Sequence, residues 1–197
     1  MKQIVLASSN PGKLAEFSAL FKNQSVEWRL QSDFDISDAD ETAITFLENA
    51  LIKARHAAAE SGHAALADDS GLCVPALNGV PGVHSARYAG IPRDDGANNQ
   101  KLLKVMEGLT GEARRAYFCC TLVLVEHRDD PMPLVFQGQW WGEIAHEARG
   151  VDGFGYNPVF LLPELNKTVA ELSMEQKNSL SHRGLACQQL LAHWKKQ

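Results

Sequence analysis

The apolar run Ile4-Val5-Leu6-Ala7 is short and unbroken, which predicts a buried strand, and Ser8-Ser9-Asn10-Pro11-Gly12 closes it as a polar loop. From Lys13 to Phe21 the apolar positions Leu14, Phe17, Ala19 or Leu20, and Phe21 recur at a helical period. Val26 to Leu30 predicts a second strand, and Asp33 to Glu41 an acidic loop. Thr42 to Glu60 carries the clearest helical pattern, with Leu47, Leu51, Ala54 and Ala58 forming an apolar stripe. Thr45-x-x-Glu48 suits a capping box near its start and Gly62 suits its end. Ala64 to Ala67 then reads as a short strand running into Asp68-Asp69-Ser70-Gly71, with Leu72 to Val74 extending it past a glycine kink.

Asn78-Gly79 and Pro81-Gly82 mark turns, and Asn98 to Met106 is helical by pattern. Ala116 to Val125 and Pro133 to Ile144 predict two long strands of a β-ribbon, joined by a turn at Arg128-Asp129-Asp130-Pro131. Gly150 to Pro158 is a glycine-rich loop, and a final helix runs from about Arg183 to Trp194 with Cys187, Leu190, Leu191 and Trp194 on one face. Strands and helices alternate early and two long strands pair later. That order predicts an α/β fold with a mixed sheet and not a purely doubly wound one. There is no internal repeat, low-complexity tract or linker, so one domain is expected over residues 1–197.

Composition narrows the function. With 45% hydrophobic and 22% charged residues the chain has the profile of an ordinary globular protein. A net charge of −5 argues against nucleic acid as the main partner, because phosphate backbones are bound with a basic surplus. A small anionic ligand needs only a few local cations and stays open. No apolar stretch approaches the ~20 residues of a membrane helix, and Ile4 to Ala7 is too short for a secretory leader, so a cytoplasmic protein is expected. The four cysteines Cys73, Cys119, Cys120 and Cys187 have no metal-site spacing and read as buried, reduced thiols.

Five segments carry candidate chemistry. Ser8 to Lys13 joins a strand to a helix start, where free amides and the positive helix end favour an anion. The full phosphate-loop pattern is missing, with Ala7 and Leu14 at two of its fixed positions, so an ordinary helix-start loop fits as well. Asp68-Asp69 follows a strand, where one of the two carboxylates can enter a site to hold Mg²⁺ or orient water; a solvated acidic turn is the plain alternative. Asp40-Glu41 offers a second carboxylate for a hard cation, or compensates the dipole of the helix that follows. Gly153-Phe154-Gly155-Tyr156-Asn157-Pro158 suits either a loop that presents a ring to a flat base or a tight turn with core aromatics. Lys177 and Ser181-His182-Arg183-Gly184 supply cations for phosphate or a carbonyl edge, or a solvated helix start.

Taken in order, these pieces resemble the inosine/xanthosine triphosphate pyrophosphatase family. The matching stretches are Ser8-x-Asn10-x-x-Lys13, Glu41-Thr42-x-x-Thr45-Phe46-x-Glu48-Asn49-Ala50, Ala67-Asp68-Asp69-Ser70-Gly71-Leu72, Pro81-Gly82-Val83-x-Ser85-Ala86-Arg87-Tyr88, Gly153-Phe154-Gly155-Tyr156-x-Pro158 and Ser181-His182-Arg183-Gly184, nearly end to end. The resemblance implies an elongated mixed β-sheet flanked by helices, in two lobes with an active-site cleft between them. It implies Mg²⁺-dependent hydrolysis of ITP, dITP or XTP to the monophosphate and pyrophosphate, by a homodimer. Asp69 is then the catalytic carboxylate and holds Mg²⁺ with Asp40 or Glu41. Ser8, Ser9, Asn10, Pro11, Gly12 and Lys13 wrap the triphosphate, and Ser70 contacts substrate. Phe154, Gly155, Tyr156 and Asn157 line the base pocket, Lys177 meets phosphate, and His182 with Arg183 meets the base. The family usually has Asp at the position of Asn157, which bears on base selectivity. A nucleotide sensor without turnover is the alternative, and it has no need of the Asp68-Asp69 pair.

Overall fold

The computed structural model describes residues 2–173, 176–177 and 180–195. Seven strands form one mixed sheet in the order β2-β1-β3-β4-β5-β6-β7. They are β1 (Lys2–Leu6), β2 (Val26–Leu30), β3 (Ala64–Cys73), β4 (Arg115–Val125), β5 (Leu134–Ile144), β6 (Phe160–Leu162) and β7 (Lys167–Thr168). The main helices are α1 (Pro11–Leu20), α2 (Phe46–Ser61), α3 (Asp95–Val105) and α4 (His182–Trp194). β1 pairs in parallel with both β2 and β3, placing Ile4 opposite Trp28 and Ala64. β5–β6 and β6–β7 are antiparallel, so the sheet is mixed, as the alternation of elements predicts.

The chain divides into two compact units. The first holds Met1–Asp69, Cys120–Gln137 and Ala186–Gln197. Its strands read as continuous apolar runs because both faces are covered. On one face Ile4, Leu6, Trp28, Leu30, Leu66, Leu122 and Leu124 pack against Phe17 and Phe21 and against Ala186, Cys187 and Leu190 of α4. On the other, Val5, Ala65, Ala67, Val123 and Val125 pack against Ala50, Ala54, Ala57 and Ala58 of α2. Small residues on α2 let the helix lie close to the sheet. The buried stripe is therefore this alanine face, and Leu47, expected in the core, is 40% exposed. The N-cap and the stop fall where the sequence places them, the Thr45 hydroxyl accepting from the Glu48 amide at 3.2 Å and Gly62 ending α2 at φ +70°; in place of the reciprocal bond of a full capping box, the Glu48 carboxylate accepts from the Thr45 hydroxyl at 2.7 Å.

The second unit holds Ser70–Cys119 and Gly138–Leu185. Its core gathers Leu72, Leu102, Met106, Phe118, Trp140, Ile144, Tyr156 and Phe160. Arg114 is buried beside this core and donates to four carbonyl oxygens, those of Ile144, Ala145, Met106 and Leu109. Burial pushes its pKa down, yet the guanidinium fork satisfies carbonyls that would otherwise be stranded. Replacing it orphans those acceptors, each costing about 1–3 kcal/mol. Arg114→Met is expected to lower unfolding stability by about 3 kcal/mol or more, read as a drop in the denaturant midpoint; a midpoint within error of the parent contradicts this role for Arg114.

Candidate active site

The strand order β2-β1-β3 reverses at β1, since the crossover through α1 goes one way and that through α2 the other. Open α/β sheets bind ligands at the carboxyl ends of strands at such a switch point. Here those ends are the Ser8–Lys13 loop after β1 and Asp68-Asp69 on β3. The parallel register of β1 with β3 ends at Leu6–Leu66, so both aspartates lie just past it. They belong to a strand and not to a turn, because β3 continues unbroken to Cys73.

The loop after β1 is self-supporting. The Asn10 side chain caps α1 by accepting from the Gly12 amide at 2.8 Å, with Pro11 in the first turn, where no amide is needed. The Asn10 amide donates to the Ser8 hydroxyl oxygen at 3.2 Å, and the Ser8 and Lys13 amides go to the carbonyls of Leu6 and Asn10. The expectation of a ring of free amides is thus corrected: four of the six positions spend their N–H internally and Pro11 has none. An anion here meets the positive end of α1, the hydroxyls and amide of the serine pair, and the Lys13 ammonium, which is hydrogen-bonded to Asp68.

Asp69 points elsewhere. Its Oδ1 lies 2.9 Å from the Lys53 ammonium of α2, and the same ammonium lies 2.8 Å from Glu41 Oε1. Asp69 is only 9% exposed, and its Oδ2 is buried without a hydrogen-bond partner among the described residues. Burial raises the Asp69 pKa, opposed by Lys53 and reinforced by the neighbouring charges of Glu41 and Asp68. For Lys53, burial works against the charge, but Asp69 and Glu41 outweigh it and the pKa is raised. Asp40 is exposed, and of the two candidates it is Glu41 that meets Asp69 through a common partner. Lys53 itself was not among the candidates read from the sequence.

A polar cavity of about 390 Å³ opens over this region, lined by Ser8, Ser9, Asn10, Lys13, Glu41, Lys53 and Asp68. Gln31 and Asp38, bonded to each other, complete its wall. Carboxylates outnumber ammonium groups in and around it, which disfavours a bare polyphosphate and favours one that arrives with a cation. No group of three or more His, Cys, Asp or Glu side chains forms a metal cage among the described residues. Glu41 and Asp69, two carboxylates that share Lys53, do fit a hard divalent ion of the kind that takes one or two carboxylates and completes its shell with phosphate and water.

The second unit holds the other candidates. Phe154 stands 64% exposed at the tip of its loop, and the Lys177 ammonium lies 4.8 Å from its ring centre. Burial, then the nearby Arg183, push the Lys177 pKa down. Gly153 has φ +88°, and a Cβ there would sit 2.1 Å from Asn157 Nδ2, so only glycine fits. Asn157 is buried, and its Nδ2 has no partner among the described residues. Tyr156 departs from the expectation of a pocket-lining ring: it is a core residue whose hydroxyl donates to the Ser85 carbonyl at 2.8 Å. Gly155 is pinned by α3, its amide donating to Asp95 at 2.7 Å and its carbonyl accepting from Asn99 at 2.9 Å. His182 stacks on Phe118 at the start of α4, and the buried Ser70 hydroxyl has no partner among the described residues.

The profile of the Ham1 family matches residues 4–193. A dITP/XTP pyrophosphatase of Chromobacterium violaceum is 56% identical over 98% of this chain and 97% of its own, and one of Nitrosomonas europaea is 53% identical over 97% and 93%. Among solved structures, a HAM1 protein from Coxiella burnetii superposes with a TM-score of 0.97 at 47% identity, covering all of both chains. The Staphylococcus aureus Ham1 protein gives 0.91 at 43% identity over 99% of each. With the family profile matched over residues 4–193 and relatives matched over nearly their full length, this chain belongs to the Ham1 family.

Proposed function

We propose that this protein is a nucleoside-triphosphate pyrophosphatase that converts non-standard purine nucleotides (dITP, XTP and ITP) to the monophosphate and pyrophosphate. The Glu41–Lys53–Asp69 cluster beside Lys13 carries this reading, together with relatives at about half identity that bear the name dITP/XTP pyrophosphatase. The metal we assign is Mg²⁺, held by Glu41 and Asp69. When bound, it supplies positive charge to the phosphate oxygens. We also assign a homodimer, on the family resemblance, and a cytoplasmic setting; no helix among the described residues is long and apolar enough to cross a membrane.

The chain's own residues then divide the work. Ser8, Ser9, Asn10 and Lys13 hold the triphosphate at the start of α1, on the loop geometry that Pro11 and Gly12 allow. Asp69 takes the proton of the water that attacks the α-phosphorus, using the oxygen that Lys53 does not hold. A buried carboxylate with a raised pKa is a stronger base than a surface one, and Lys53 keeps it ionised. Lys13 and Lys177 stabilise charge on the departing pyrophosphate. Phe154 stacks on the base, with Tyr156 and Gly155 fixing its loop, while Asn157, His182 and Arg183 offer donors to a 6-oxo group. Ser70 contacts substrate with its unpartnered hydroxyl. Donors that fit a 6-oxo group are left unpaired against the 6-amino group of adenine, and sites of that kind discriminate by ~10⁴ or more.

Two outcomes follow. Pyrophosphate should be released from ITP, XTP and dITP with Mg²⁺, and little from ATP or GTP, or from any substrate in EDTA; orthophosphate as first product, or ATP turning over like ITP, contradicts the assignment. Lys177 must be charged to hold phosphate, and its pKa is lowered by burial and by Arg183. Affinity is therefore complete below that pKa and lost as pH rises through it. KM should climb at an alkaline pH below the usual lysine range, and Lys177→Arg should move that rise upward; an unchanged profile would remove Lys177 from the site.

A further inference from the structure

Phe154 sits between two glycines, Gly153 and Gly155, at φ +88° and +63°. Glycine enters that region freely and leaves it as freely, so the local backbone does not by itself fix where the exposed ring stands. The hold comes from α3 and from the stretch Pro81–Tyr88, neither of which the hydrolysis described above uses. Asp95 and Asn99 are four residues apart and share a face of α3. The Asp95 Oδ2 accepts from the Gly155 amide at 2.7 Å, and the Asn99 Nδ2 donates to the Gly155 carbonyl at 2.9 Å. One helix thus takes both polar backbone groups of Gly155.

Asn98 does the same for the segment that follows the 3₁₀ stretch Gly82–Arg87. Its Oδ1 accepts from the Ala89 amide at 2.6 Å, and its Nδ2 donates to the Ala86 carbonyl at 3.1 Å. Within that stretch the Ser85 carbonyl accepts from the Tyr156 hydroxyl, while the Ser85 hydroxyl accepts from the Leu72 amide of β3 at 2.9 Å. Gly155 and Tyr156 are therefore both anchored to α3, the first directly and the second through the segment that Asn98 holds. All of these residues belong to the second unit.

We propose, on the base-stacking role given to Phe154 above, that Asp95, with Asn99 beside it, is a positioning residue for base recognition: it holds the loop in the form that offers the Phe154 ring, and so acts on affinity for the nucleotide and not on the chemical step.

The two residues hold Gly155 by different means. The Asp95 carboxylate is paired with Arg93, whose Nε lies 3.0 Å from Oδ1. Arg93 lowers the Asp95 pKa; burial opposes this and the Gly155 amide adds to it. The bond to Gly155 is therefore made by a charged acceptor, the stronger kind. Asn99 gives a neutral bond, the weaker kind. A carbonyl can only accept, so the Asn99 amide must turn its nitrogen to Gly155, and its buried Oδ1 is left without a partner among the described residues. A ring flanked by glycines loses freedom when a base settles on it, and a loop already held loses less. Stacking on an aromatic ring is worth about 5-fold to about 100-fold in affinity, and a loosened loop forfeits part of that factor.

The test compares the full-length parent with Asp95→Ala, Asp95→Asn and Asn99→Ala in pyrophosphate release from ITP with Mg²⁺, read as kcat and KM. Hydrogen exchange of the peptide covering residues 153–156 is followed alongside. The start of α3 survives these changes, because its cap is Asp94, which accepts from the Ala97 amide at 2.9 Å. Asp95→Asn keeps an oxygen for the Gly155 amide, and the half-exposed Arg93 can turn to water. Asp95→Ala is expected to raise KM ~10-fold and Asn99→Ala ~3-fold, with kcat within ~2-fold of the parent, while Asp95→Asn brings KM back to within ~3-fold. Exchange in the loop peptide should quicken in Asp95→Ala and return in Asp95→Asn. The proposal is overturned if Asp95→Ala leaves KM or loop exchange as in the parent, if kcat falls with the rise in KM, or if Asp95→Asn behaves like Asp95→Ala. An unchanged KM in Asn99→Ala overturns the part given to Asn99. A parent that releases no pyrophosphate from ITP overturns the proposed function and this role with it; an active parent whose variants keep its KM overturns this role alone.

Discussion

A single lysine ammonium shared by two carboxylates holds the chemistry of this protein in place. Lys53 lies between Glu41 and Asp69, at 2.8 and 2.9 Å. Without it, the buried Asp69 would have the charges of Glu41 and Asp68 near it and no counter-charge, which disfavours its ionised form. With it, Asp69 has a cation in contact, and one of its oxygens is left over for work. A group in that condition is unfavourable for folding alone, since a buried acceptor without a partner costs about 1–3 kcal/mol. Its retention among well-packed neighbours supports the role proposed for the cluster.

The sheet explains why these groups meet. β1 sits between two parallel partners, and the crossovers to them leave on opposite sides, so the ends of β1 and β3 face an open polar cavity. α2 brings Lys53 to the same place because its alanine face packs closely on the sheet. Asn49, buried near the start of α2, bonds the backbone of Ala43 in both directions and fixes the loop that carries Glu41. In the second unit the same economy of parts applies: α3 grips both polar groups of Gly155, and Tyr156 anchors the loop from below while Phe154 stays outside.

Much of this is legible in the chain. The apolar runs of β1, β3 and β4, the Thr45 cap, the Gly62 stop and the carboxylates that follow Ala67 can all be read without coordinates, because each depends on local spacing. Lys53 cannot, since a lysine amid α2 looks like part of a solvated face, and its partner Asp69 comes 16 residues later. Choosing Glu41 over Asp40 is likewise a matter of which neighbour turns inward, and spacing does not encode it. The alanine stripe displaces Leu47 because close approach to a sheet rewards small side chains over large ones, against the usual weight given to leucine. Tyr156 follows the same logic, being large enough for the core and polar enough to reach Ser85. The amides of the Ser8–Lys13 loop also mislead: residues that suit phosphate, serine and asparagine, are the ones that satisfy their own backbone.

The account rests on water, activated at Asp69, attacking the α-phosphorus. Turnover of ITP in ¹⁸O-labelled water reads this directly by mass spectrometry. Label confined to the monophosphate, with unlabelled pyrophosphate, is the predicted result. Label in the pyrophosphate means attack at the β-phosphorus, and the placement of Asp69 as the base acting on an α-directed water would then be wrong.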